Sequence, residues 1–167
     1  MRLHEFESKE LVKKYGINVP ESSLISSLTE ITPFDAPVVV KAQLLMVKSR
    51  AKAGAVKICN SYTELLDTAR HLLNREIEGE TAEKLLLEEK VDIKNEYYIG
   101  VTYDTSTRSQ VIIFSNSGGI DVETSQTEKL YIATELHGWM IRDMLKRSGV
   151  KGDKIVKLSE AIKRVYK

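Results

Sequence analysis

Five cations, Lys41, Lys48, Arg50, Lys52 and Lys57, fall within the single stretch from Val38 to Asn60, VVVKAQLLMVKSRAKAGAVKICN. Two apolar, β-like runs flank the basic segment, which also holds Gly54. A strand, a basic loop and a returning strand form a hairpin that can bend over an anion. Lys41 closes the first strand and Lys57 sits on the second, so several cations can converge where the chain turns back. That chemistry suits the gripping of phosphate. A second group is acidic: Leu85-Leu86-Leu87-Glu88-Glu89-Lys90-Val91-Asp92 reads as a buried strand running into a charged exit, and Glu96 follows eight residues after Glu88.

Other residues that could do chemistry lack the company they need. His4 and Glu5 are adjacent on a helix, point to different faces and have no second histidine at i+4, so both read as structural. His71 lies on a helix among non-ligands, and His137 has no Cys, Asp or Ser arrangement around it, so both also read as structural. Gly118-Gly119 forms no phosphate fingerprint, because neither G-x-G-x-x-G nor G-x-x-x-x-G-K-[ST] occurs. No catalytic residue and no metal ligand is assigned.

The elements that must position these groups follow from apolar spacing. Leu3 to Tyr15 predicts an amphipathic helix closed by Gly16, and the Ser- and Pro-rich segment from Glu21 to Pro37 a short strand and a turn or one short helix. Ser61-Tyr62-Thr63-Glu64 has capping-box spacing and opens a helix bearing Leu65, Leu66, Ala69, Leu72 and Leu73. Asn74 to Lys84 reads as a charged connector bending at Gly79. Tyr97–Asp104 and Gln110–Ser115 are strands joined by a polar hairpin turn. Two helices end the chain, Thr134 to Arg147 and one capped by Asp153 that carries Ile155, Val156, Leu158, Ile162 and Val165.

Composition limits the function classes. The 167 residues, 42% hydrophobic and 29% charged, can bury one real core in a globular unit of two lobes. A formal net charge of +1, and basic residues with no interleaved aromatic platform, argue against a nucleic-acid binder. One cysteine, Cys59, permits neither an internal disulfide nor a thiolate metal site. No apolar run has the length of a membrane span and the charged amino terminus has no signal-peptide core, so a cytoplasmic protein with no membrane partner is expected.

Several of these segments resemble the amino-terminal region of the succinyl-CoA synthetase β subunit, of the ATP-grasp acid-thiol ligases that include malate-CoA ligase and the front of ATP-citrate lyase. They are Leu3-His4-Glu5-Phe6 with Tyr15-Gly16-Ile17-Asn18-Val19-Pro20; Val39-Val40-Lys41 with Gln43 and Arg50-Ala51-Lys52-Ala53-Gly54-Ala55-Val56-Lys57; and Glu96 to Asp104 with Arg108 to Glu123. Three departures stand out. Ser49, Arg50 and Ala51 replace the family's Gly-Arg-Gly, whose glycines permit φ > 0, and a residue forced there costs about 1–2 kcal/mol. The loop from Lys41 to Lys57 is also one residue longer than the family's, and Ser117 stands where a Glu is usual.

The resemblance implies an α+β fold, a two-lobed ATP-grasp nucleotide-binding domain, truncated before the family's Mg²⁺-binding strand. Residues 1–19 and 92–167 would form one lobe and 20–91 a lid. It implies ATP or ADP held weakly, phosphates on Lys41, Ser49, Arg50 and Ala51 and adenosine on Glu88, Val91 and Glu96, with Mg²⁺ only where the missing segment is supplied. The implied reaction, of the tricarboxylic acid cycle, couples NTP hydrolysis to acyl-CoA formation through a phosphohistidine on a partner α subunit. The alternative is a degenerate, non-catalytic module that regulates or scaffolds a ligase-like partner. Either way, apolar surface on the last helix implies an α-subunit partner or self-association.

Overall fold

The computed structural model describes residues 2–33, 37–118 and 126–167, which fall into two compact units. The first comprises Met1–Lys14 with Asn18–Asp92, the second Tyr15–Ile17 with Ile93–Lys167. This differs at the amino terminus from the expected division, which put residues 1–19 with the carboxy-terminal lobe. The physical reason is a set of ion pairs that ties the first helix to the strands of the first unit, described below.

In the first unit, β1 (Ser22–Ile25), β2 (Val38–Ala42), β3 (Val56–Cys59) and β6 (Leu85–Glu89) form an antiparallel sheet in the order β1-β6-β2-β3. Strand alternation gives β6 two uses. Leu85 and Leu87 join Val38, Val40, Cys59 and Ile25 in a core closed by Leu65, Ala69 and Leu72 of α2 (Tyr62–Leu72). Leu86 and Glu88 alternate to the opposite face, where Leu86 borders Phe6 and Lys9 of α1 (Glu5–Lys14). The expected cap of α2 forms: Ser61 Oγ accepts from Glu64 N at 3.2 Å, while the Glu64 carboxylate reaches one residue further back to accept from Asn60 N at 2.7 Å.

Other elements depart from expectation in detail. Helix α1 buries no residue completely, and Gly16 follows it in the left-handed region at φ 77°. The segment after Glu21 holds both β1 and a short 3-10 turn, Leu28–Glu30. The expected charged connector is a tight hairpin, β4 (Glu76–Ile77) with β5 (Glu80–Thr81), turned by Glu78 at φ 50° and Gly79 at φ 84°. Two successive positive φ angles match the right-handed twist of the flanking strands.

The second unit is a three-stranded antiparallel meander, β7 (Tyr98–Asp104), β8 (Ser109–Ser115) and β9 (Glu128–Ile132). Its core joins Ile112, Phe114, Leu130 and Ile132 to Ile141, Met144 and Leu145 of α3 (Gly138–Arg147) and to Ile162 of α4 (Lys154–Tyr166). Helix α3 begins four residues later than the spacing predicts, with His137 at its N-cap. Asp153 precedes α4 but makes no capping hydrogen bond; its carboxylate pairs with Lys157 at 3.1 Å. Along α4, Ile162 is buried and Ile155 and Leu158 pack on the core, while Val156 is exposed. Of the glycine loop, Gly118 is described, and Gly119 to Glu123 lie outside the described residues. No helix among the described residues is long and apolar enough to cross a membrane.

Candidate functional site

Sheet register decides which charges meet. Lys41 pairs across from Leu86 and Val39 from Glu88, so Lys41 and Glu88 are diagonal neighbours on the face of the sheet opposite α2. Lys41 Nζ lies 2.6 Å from Glu88 Oε1. Helix α1 brings a second carboxylate from its first turn: Glu5 Oε1 is 2.8 Å from Lys41 Nζ and 3.1 Å from Lys9 Nζ, one helical turn on. Arg50 reaches the other oxygen, with Nη2 2.6 Å from Glu5 Oε2, and Lys9 also contacts Glu88. Three cations therefore share two carboxylates, leaving one positive charge in excess.

The cluster is partly dehydrated, which strengthens every pair in it. Burial alone would raise the Glu5 pKa, but the Lys41 hydrogen bond and charge, with Arg50 and Lys9, hold it down at about 2. Burial, and then the neighbouring positive charge of Lys41, lower the Lys9 pKa. The two oxygens of Glu5 thus bridge Lys41 and Arg50 as any small oxyanion would, and the donor set fits a phosphate group.

The loop between β2 and β3 supplies Arg50. Ala53 N donates to Ser49 O at 3.0 Å, Gly54 N to Ala51 O at 3.2 Å and Ala55 N to Arg50 O at 2.8 Å. With Gly54 at φ 71°, this is a right-handed turn ended by a Schellman motif. Ser49, Arg50 and Ala51 all keep negative φ, so the strain expected from the lost glycines is absent. The one left-handed position falls on Gly54, which is a glycine. Upstream, Glu80 of β5 accepts from Leu45 N and Met46 N, both at 2.7 Å. Gln43, buried, accepts from Phe6 N at 3.2 Å and donates to Lys41 O at 3.0 Å, tying α1 to the end of β2.

Of the residues singled out in the sequence, Lys41, Arg50 and Glu88 come together, and Ser49 and Ala51 flank Arg50 in the same turn. Val91 is exposed just beyond β6. Glu96 belongs to the second unit, where its carbonyl accepts from Gly118 N at 3.0 Å and its side chain is exposed. The Glu88 carboxylate is engaged by Lys41 and Lys9. Sequence reasoning missed Glu5, Lys9 and Glu80. The i,i+4 spacing of Glu5 and Lys9 signalled a shared helical face, but not that this face lies on β2 and β6. His4 stacks on Phe6 at 5.7 Å, and His71 Nε2 lies 2.5 Å from Arg75. Among the described residues no group of three His, Cys, Asp or Glu is disposed to hold a metal ion.

The chain is 36% identical over 177 residues to the ADP-forming succinate–CoA ligase β subunit of Methanocaldococcus jannaschii, with 100% of this chain and 48% of that one covered. It is 33% identical over 182 residues to the GDP-forming β subunit of Thermus thermophilus, covering 100% and 47%. It thus spans about half the length of the curated relatives it matches. A dinucleotide-forming acetyl-coenzyme A synthetase of Ca. Korarchaeum cryptofilum superposes with a TM-score of 0.70 at 24% identity, over 97% of this chain and 77% of that one. ATP citrate lyase of Methanothrix soehngenii does so at 0.68 and 20%, over 99% and 43%. At those identities the structures speak for the fold alone. Residues 2–167 match the ATP-grasp domain family, and with the two-unit α+β architecture in place the chain belongs to that family.

Proposed function

We propose that this chain is the nucleotide-binding part of an acid-thiol ligase β-type subunit of the succinate–CoA kind. The observation that carries the reading is the convergence of Lys41 and Arg50 on the two oxygens of one carboxylate, 2.8 and 2.6 Å away. Two cations held at that separation by a strand and a turn need not themselves move to grip a phosphate, which lowers the cost of binding. The phosphates of ATP or ADP lie on Lys41 and on the turn Ser49–Ala51, and the adenosine on Glu88, Val91 and Glu96. Lys41 and Arg50 would neutralise charge on the group transferred, since phosphoryl transfer relies on positioning and electrostatics. Mg²⁺, when bound, would supply further charge neutralisation. The reaction supported is acid, CoA and NTP going to acyl-CoA, NDP and phosphate, with a phosphohistidine on a partner α subunit carrying the phosphoryl group. The curated relatives, β subunits of succinate–CoA ligases, support this reading.

Isothermal titration of ADP into wild type, Lys41→Ala and Glu96→Ala tests it. Loss of a charge-assisted contact is worth about 1.5–3 kcal/mol, so each variant is expected to bind about tenfold or more weakly. Equal affinities in all three proteins refute the assignment.

A further inference from the structure

The geometry points to Glu5 as a resident counter-anion: its carboxylate bridges Lys41 and Arg50 where the reading above seats a phosphate, and an entering phosphate must displace it. This inference rests on the nucleotide reading above and adds a residue that the reading does not contain. Its basis is the contact set. Glu5 Oε1 meets Lys41 at 2.8 Å and Oε2 meets Arg50 at 2.6 Å, so one carboxylate satisfies both groups proposed to take phosphate.

Two carboxylates touch Lys41, and they are not equally free to leave. Glu88 is fixed on β6, an interior strand paired on both sides, and its side chain is only 6% exposed. Glu5 is on the first turn of α1, a helix with no fully buried residue, and its side chain is 17% exposed. A released Glu5 keeps two stabilising influences: Lys9, one turn on at 3.1 Å, and the positive end of the α1 dipole. Glu88 would leave an uncompensated charge against the sheet, an expensive state. The carboxylate, with one negative charge, is a weaker partner for two cations than a phosphate carrying two.

The consequence is a ligand affinity held down by an internal competitor, and it is read with inorganic tripolyphosphate and ADP as probes. Glu5→Gln keeps the shape and removes the charge, so both probes are expected to bind about tenfold tighter, with the gain abolished in the double variant with Lys41→Ala. Glu5→Asp, one methylene too short to bridge both cations, is expected to fall between, and it stands in should Glu5→Gln fold poorly. In the wild type, tripolyphosphate is expected to speed amide hydrogen exchange in the first turn of α1, which a purely structural glutamate would not do. Unchanged or weaker binding by both Glu5 variants, or unchanged or slower exchange on α1, overturns the inference. If Lys41→Ala still weakens binding in that case, the nucleotide reading stands without it. If Lys41→Ala is also silent, both fall.

Discussion

Gly118 offers the sharpest test of how the second unit holds the segment that carries Glu96. A Cβ built on Gly118 would stand 2.9 Å from Tyr97 N and 3.0 Å from both Tyr97 C and O. Ordinary contacts begin about half an ångström further out, and the atoms in the way are backbone, so no side chain can swing aside. Gly118→Ala must push the loop off Tyr97 and stretch the 3.0 Å hydrogen bond from Gly118 N to Glu96 O. Overpacking costs about 1–3 kcal/mol and a weakened hydrogen bond about 1 kcal/mol, offset by about 0.4–1 kcal/mol from the stiffer unfolded chain. The net expectation is a loss of about 2 kcal/mol, or about 6 °C in Tm for a chain of this size. Gly100 is the internal control. The three atoms nearest its added Cβ all belong to the Tyr98 side chain, the hydroxyl closest at 3.0 Å, and that side chain can rotate away, so Gly100→Ala should cost less than about 1 kcal/mol. Urea unfolding followed by far-UV circular dichroism and by Trp139, the one tryptophan, which lies on α3 in the second unit, measures both. The reasoning fails if Gly118→Ala unfolds within about 0.5 kcal/mol of wild type, the usual size of a surface-substitution effect, or if Gly100→Ala is the costlier change.

Two further outcomes follow from charges already described. The Glu5 pKa falls from 4.5 unfolded to about 2 folded, so its contribution is complete above pH 4.5 and is lost as the pH drops towards 2; that difference is worth about 3 kcal/mol, and urea midpoints measured down this range should fall more steeply in wild type than in Glu5→Gln, parallel slopes contradicting the assignment. Glu80→Ala removes the acceptor for Leu45 N and Met46 N and should cost about 2 kcal/mol while speeding hydrogen exchange at both amides; protection unchanged there would show that other groups hold the loop.

Local patterns in the sequence carried the sheet of the first unit and its helix. Val38–Ala42 and Leu85–Glu89 are apolar runs of strand length, and the spacing of Ser61 and Glu64 predicts the cap that forms. Lys41 and Arg50 were legible as cations that converge, because one ends a strand and the other lies in the turn that follows it. Glu5 was not legible as their partner, since its role depends on α1 lying across β2 and β6, a contact between residues 36 positions apart. The lost glycines misled for a related reason: backbone angles at Ser49–Ala51 are set by hydrogen bonds that close at Gly54, not by residue type alone. Strand β9 was overlooked although Leu130 and Ile132 alternate with polar neighbours, because so short a run gains its meaning only beside β8.

The strand order of the first unit also governs the sequence of events as the chain acquires its structure. The β2–β3 hairpin joins strands that are neighbours in sequence and can form early, but β1 has no partner until β6 arrives, since Ser22 pairs with Glu88 and Ile25 with Leu85. Loop-closure entropy for so distant a pairing is lost before any contact repays it. On a ribosome, Leu24 and Ile25 would therefore wait unpaired until Leu85–Glu89 had emerged, and Leu44, Val47 and the inner face of α2 would wait with them. A slow, chaperone-sensitive phase in refolding, retarded by substitutions in β6 more than in β3, is the kinetic counterpart of a central strand that the chain makes last.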